Sequence, residues 1–148
     1  MKFSLTLPRE ALSISVIRRV LGDALCGLGV AEDCVGDILV ASSEACTNVV
    51  LHAESTAGFE VVALIDGDSC VLKILDKGSG FPTGTDGNLP EWDAESGRGI
   101  AIMRALVDDV SFDTDLAQGT AVYLRKQLTW EDEALIRRLE RDLVHSAS

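Results

Sequence analysis

The tetrapeptide Asp66-Gly67-Asp68-Ser69 stands between two apolar runs, Phe59–Ile65 and Cys70–Leu75. An Asp-Gly turn flanked by strand formers is a strong signal for an antiparallel hairpin. A second hairpin is predicted where Val110–Thr114 and Thr120–Leu128 flank Ala117-Gln118-Gly119. Two local antiparallel pairs commit the chain to a sheet, and the remaining patterns decide what covers it.

Those patterns are helical. From Arg9 to Leu28, Ile14, Ile17, Leu21, Ala24, Leu25 and Leu28 keep helical spacing, and Gly29 supplies a stop. A second helix is predicted from about Glu32 to Ala53, its stripe formed by Val35, Ile38, Leu39, Ala45, Cys46, Val49 and Val50. Phe3, Leu5 and Leu7 alternate with polar residues, which predicts a short strand ended by Pro8. That strand must find an edge, so the sheet is expected to be mixed though mostly antiparallel. A short helix, Ile100–Val107, separates the hairpins. Thr129 with Asp132 reads as a cap that opens a last amphipathic helix bearing Leu135, Ile136, Leu139 and Leu143. The order β-α-α-β-β-loop-α-β-β-α predicts an α+β fold, a two-layer sandwich of sheet and helices. Residues 1–128 are read as one domain, with 129–148 a C-terminal helical extension.

A chain of 148 residues, 47% hydrophobic, can fill one such core. No stretch reaches the roughly 18 to 20 uncharged apolar residues of a membrane span. The opening MKFSLTLPREALS lacks the form of a signal peptide, so a cytoplasmic location is expected. Cys26, Cys34, Cys46 and Cys70 include no C-x-x-C pair and there are two histidines, which reads as buried reduced thiols rather than a zinc site. A net charge of −11 would repel a phosphate backbone, disfavouring direct nucleic-acid binding, and suits a protein partner with a basic surface.

Three constellations could carry chemistry. Glu44 and Asn48 are four apart on the second helix, hence on one face, and His52 continues the row. This row is expected to face away from the core centre, towards a cleft or solvent. Asp76-x-Gly78-x-Gly80 follows the strand Val71–Leu75, where glycines let backbone approach a flat ligand and a strand-end Asp can accept a hydrogen bond. Gly97-Arg98-Gly99 precedes the Ile100 helix, whose free N–H groups would form an anion site with Arg98 adding charge. Between these, 78–97 holds five glycines, Pro82 and Pro90, and reads as a mobile loop. No Walker-type phosphate loop occurs, and Pro82 rules out a dinucleotide fingerprint.

Each signal is weak alone. In this order, with the late pair Gly119-Thr120, they resemble the histidine-kinase-like ATPase superfamily (GHKL, or Bergerat-fold). SEACTNVVLHA, ILDKGSGFP, ESGRGIAIMRALVDDVSF and GTAVYLRK are similar to the anti-sigma-factor serine kinases of the SpoIIAB/RsbW type, over about residues 3 to 128. The resemblance implies ATP and Mg²⁺ as cofactors, with Glu44 as general base and Asn48 as the protein ligand to Mg²⁺. It implies Asp76 as acceptor of the adenine amino group, supported by Thr120. Gly78 and Gly80 would lie against the base, Phe81–Ser96 would form an ATP lid, and Gly97, Arg98, Gly99 and Ile100 would hold phosphates. His52 matches a frequent family histidine without an assigned role.

The implied partners are a sigma factor, which is sequestered, and an anti-sigma-factor antagonist, which is phosphorylated on Ser or Thr. Arg18 falls where a family member offers an arginine to its partners, and a homodimer is expected, with the acidic tail one candidate contact. Glu95 departs from the pattern, since some members carry an arginine there. That departure motivates the competing reading, an ATP-gated regulatory binding module without kinase activity.

Overall fold

A computed structural model describes residues 1–52, 58–76, 94–116, 119–131 and 135–146. The elements run β1 (Lys2–Leu7), α1 (Ala11–Leu28), α2 (Glu32–His52), β2 (Phe59–Ile65), β3 (Ser69–Asp76), α3 (Ala94–Leu106), β4 (Asp109–Leu116), β5 (Gly119–Gln127) and α4 (Leu135–Ser146). This is the α+β order read from the sequence.

The strand order is β1-β2-β3-β5-β4, and all four pairings are antiparallel. The expectation of a mixed sheet is therefore corrected. β1 does take an edge, but it runs opposite to β2, with Leu7 beside Phe59 and Lys2 beside Leu64. Two helices separate β1 from β2, and an even number of layer crossings returns the chain to the same end of the sheet, which permits antiparallel pairing. At the β2–β3 turn, Asp66 accepts hydrogen bonds from the backbone N–H of Asp68 and Ser69, both at 2.8 Å. The Ser69 bond first, then that of Asp68, holds the Asp66 carboxyl below its ordinary value.

Alternation along the strands turns one face towards the helices. Phe59, Val61, Ala63 and Ile65 of β2 and Cys70, Leu72 and Ile74 of β3 are buried there. From α1 come Ile17, Leu21, Leu25 and Leu28, and from α2 come Val35, Ile38, Ala41, Ala45, Cys46 and Val49. The Val, Leu, Ile and Phe side chains among these each contribute roughly 1.5 to 3 kcal/mol on burial. Gly29 closes α1 in the left-handed region, at φ 91°, and its N–H bonds the Cys26 carbonyl. Cys34, Cys46 and Cys70 are buried as read, whereas Cys26 is exposed, one position off the α1 stripe.

The last part of the chain differs from its reading. Thr129 does not open a helix: its carbonyl accepts from Ala31 N–H at 2.8 Å, Glu131 N–H donates to the Gly29 carbonyl at 2.9 Å, and Trp130 bridges Val30. The Trp130 indole also donates to the Gly67 carbonyl at 3.1 Å. Backbone pairing with the α1–α2 junction outcompetes the local capping signal, and α4 begins at Leu135. Among the described residues no helix is long and apolar enough to cross a membrane.

Candidate functional site

The site grows from the central helix. α2 packs against α1, α3 and the sheet, so little of its surface reaches solvent. The Glu44–Asn48 row consequently faces α3. Glu44 is half-buried, and Asn48 is buried at 5% exposure. A solvated helix face is thereby excluded for this pair. Among the described residues, the buried Asn48 Nδ2 group has no hydrogen-bond partner. An unsatisfied buried amide costs roughly 1 to 3 kcal/mol, so its presence here points to a ligand rather than to the fold.

The element opposite is α3, and its first two turns hold Gly97, Arg98 and Gly99. This corrects the expectation that they precede the helix, since α3 starts at Ala94 rather than Ile100. Low helical propensity argued for leaving glycines outside, but contact with α2 overrides propensity. A Cβ on Gly99 would lie 3.0 Å from Glu44 Oε2, 3.6 Å from Asn48 Nδ2 and 3.7 Å from Asn48 Oδ1. Glycine is what lets the α3 backbone come this close to the Glu44 carboxylate, while the Asn48 amide lies at ordinary contact distance. The helix-terminal N–H groups belong to Ala94 through Gly97, which shifts the anion-site argument to the residues just ahead of the expected ones. Gly99 is buried, Ile100 packs against the core, and Arg98 is exposed. Met103, fully buried at 0% exposure, anchors the helix.

Asp76 ends β3 on the core-facing side, at 3% exposure. It pairs with the Arg9 guanidinium, a contact 67 residues apart in sequence. Arg9 also donates to the Val49 carbonyl at 3.4 Å, and burial lowers the Arg9 pKa from its ordinary value. No sequence signal singled Arg9 out: an arginine after Pro8 looks like any surface charge until the sheet closes. Thr120 precedes Ala121, which pairs with Leu75, so its backbone lies near the Asp76 end of β3; its side chain lies outside what is described.

Arg18 is exposed on α1 and donates to Ser43 Oγ at 3.0 Å, across to the residue before Glu44. Gly78, Gly80 and residues 81–93 of the expected lid lie outside the described residues, as does the side chain of His52. Ala94–Ser96, also assigned to the lid, belong to α3. The arrangement therefore brings together Glu44, Asn48 and Gly99, and separately Asp76 with Arg9.

The chain is similar to known proteins over most of its length. A family model described as the histidine kinase-like ATPase domain matches residues 7–126. The chain is 29% identical over 141 residues to the serine-protein kinase RsbW of Bacillus mycoides, covering 88% of this chain and 87% of that protein. It is 28% identical over 141 residues to a serine-protein kinase RsbW of Bacillus cereus, with the same coverage. In fold it is similar to a Mycobacterium tuberculosis structure of the RsbU and RsbW domains of Rv1364c, with a TM-score of 0.68 and 23% identity. The match covers 86% of this chain and 32% of that one.

Proposed function

The chain belongs to the histidine kinase-like ATPase domain family, and from that premise we propose that it is an ATP-dependent anti-sigma factor that phosphorylates its antagonist on Ser or Thr. The observation that carries this reading is the buried Glu44–Asn48 row backed by Gly99. A carboxylate and an amide are held side by side, with a glycine leaving room where a side chain would press on the Glu44 carboxylate. The curated relatives named serine-protein kinase support transfer to a hydroxyl.

The residues present fit a nucleotide with Mg²⁺. Asn48 can turn its amide to offer Oδ1 to a hard cation, or Nδ2 to a phosphate oxygen. The ion supplies charge neutralisation along the phosphates. Glu44 orients the attacking hydroxyl and takes its proton as the new O–P bond forms at the γ-phosphorus and the bond to the β–γ bridging oxygen breaks. Asp76 accepts the adenine amino hydrogen bond, supported by Thr120. Gly78 and Gly80 are the residues proposed to lie against the base, and Gly97, Arg98, Gly99 and Ile100 line the phosphates. Arg18, beside the Glu44 turn, contacts the partner. The partners are a sigma factor and its antagonist, in the cytoplasm, with the protein acting as a homodimer built on one domain (1–128) and a helical extension.

The test is transfer of labelled phosphate from ATP to a co-purified antagonist. Wild type should label it on Ser or Thr, while Glu44→Gln binds ATP yet transfers at least about 100-fold less. Equal transfer by both removes Glu44 from the mechanism. Stable nucleotide-dependent complexes with no transfer by wild type would instead establish the ATP-gated binding module that Glu95 motivates.

A further inference from the structure

We propose that Arg9 is a positioning residue that sets purine choice, by holding Asp76 as an anionic hydrogen-bond acceptor. This rests on the reading of Asp76 as the adenine acceptor given above.

The placement follows from the sheet. Leu7 pairs with Phe59, and Phe59 pairs with Asp76, so these three form one row across β1, β2 and β3. Arg9 lies two residues beyond Leu7, at the same end of the sheet as Asp76. The turn that carries it is fixed. Glu10 N–H donates to the Pro8 carbonyl at 2.9 Å, and Ser13 Oγ, itself 3% exposed, donates to the same carbonyl at 2.7 Å. From this turn the Arg9 side chain runs inward, to 7% exposure, and meets both Asp76 Oδ1 and the Val49 carbonyl of α2.

Burying a guanidinium and a carboxylate is costly, and a salt bridge of this kind is weak evidence for stability. Its chemistry suits recognition better. Adenine presents an exocyclic amine, a donor, where guanine presents a carbonyl, an acceptor. An ionised carboxylate can only accept, and it has about four lone-pair sites, so accepting from Arg9 leaves capacity for an amine. A guanine carbonyl would face like-signed partial charge and be rejected. Without the cation, a buried carboxylate favours its neutral form. That form carries an O–H, which a guanine carbonyl can accept. Arg9 thus acts through Asp76, and its removal should weaken adenine binding while relaxing the exclusion of guanine. A purely mechanical tether between the α1 entry turn and α2 would instead weaken both nucleotides alike.

The experiment measures ADP and GDP affinity, with Mg²⁺, for the full chain as wild type, Arg9→Met, Arg9→Lys and Asp76→Asn, alongside thermal melts. Arg9→Met should lower ADP affinity about 10-fold or more while GDP affinity holds or rises, shrinking the ADP/GDP ratio at least about 10-fold. Arg9→Lys, which keeps the charge, should restore most of the ratio. Should Arg9→Met lose its cooperative melt, Arg9→Gln stands in with the same expectations, since it keeps an N–H donor and loses the charge. An unchanged ratio, whether both affinities fall together or neither moves, overturns the proposal. Wild-type discrimination in Asp76→Asn overturns the reading of Asp76 and this inference with it. Lost discrimination in Asp76→Asn with intact discrimination in Arg9→Met overturns the inference alone.

Discussion

Gly99→Ala isolates the contact on which the site is built. The added methyl would sit 3.0 Å from Glu44 Oε2 but 3.6 and 3.7 Å from the Asn48 amide atoms. The Asn48 distances are ordinary contact, so Asn48 stays where it is. The Glu44 oxygen must retreat by a few tenths of an ångström, and it can, being the far end of a half-buried side chain with three torsions. Replacing a mid-helix glycine by alanine gains about 0.5 to 1 kcal/mol, offset by up to about 1 kcal/mol for an off-minimum Glu44 rotamer. The melting temperature should therefore lie between a fall of about 2 °C and a rise of about 4 °C. A 1 Å misplacement can cost about 100-fold in rate, so a few tenths should cost about 3- to 10-fold in transfer. ADP affinity should change less than about 3-fold, because Asn48 is undisturbed. The assays are a calorimetric melt, ADP titration and initial rates of phosphate transfer to the antagonist. A fully active variant would refute Glu44 as the group that Gly99 makes room for. A melting temperature lowered by several degrees would refute the packing of α3 on α2.

Asn48→Leu should leave the free protein as stable as wild type, or more so by roughly 1 to 3 kcal/mol, because it removes a buried amide group that lacks a partner among the described residues; it should also abolish stabilisation by Mg²⁺ with ATP. Paired melts with and without nucleotide check this, and nucleotide stabilisation equal to wild type would sink the role of Asn48. Burial pushes the Cys46 thiol up to about 12, and burial first, then Cys34 and Asp66, does the same for Cys70. In the unfolded chain these thiols ionise near their ordinary value of 9.0. Their contribution is thus complete below about pH 9 and is lost as pH rises towards about 12, by up to about 1.4 kcal/mol per pH unit per thiol. Urea unfolding across pH 8 to 10.5 should show a steeper decline in wild type than in the Cys46→Ala, Cys70→Ala double variant; parallel declines would contradict the assignment.

Much of the fold was legible because its signals are local. The Asp66–Ser69 turn fixed one hairpin, and the spacing of Ile17, Leu21, Leu25 and Leu28 drew the α1 stripe. Failures occurred where distant parts of the chain decide. Gly97 and Gly99 are poor helix formers in isolation, and the packing of α3 on α2, with Gly99 beside Glu44 and Asn48, overrides that preference. Thr129 has a capping residue's chemistry, but the free backbone groups of Gly29 and Ala31 claim its segment. The site divides in the same way. Glu44, Asn48 and Asp76 lie on periodic elements whose faces can be counted, whereas Arg9 acquires meaning only through a partner 67 residues away.

The bridge between Val30 and Trp130 has a consequence for synthesis. It joins the α1–α2 junction to the segment that follows β5, and so braces the start of α2, the helix that carries the Glu44 row. While the chain emerges from the ribosome, α1, α2 and the first hairpin can assemble early. The clasp, however, must wait until residue 131 has cleared the exit tunnel, with β5 already in place between β3 and β4. A chain cut after Gln127 would contain every strand yet leave Gly29 and Ala31 without the partners that Thr129 and Glu131 provide. The least length able to close the fold therefore extends a few residues beyond the last strand.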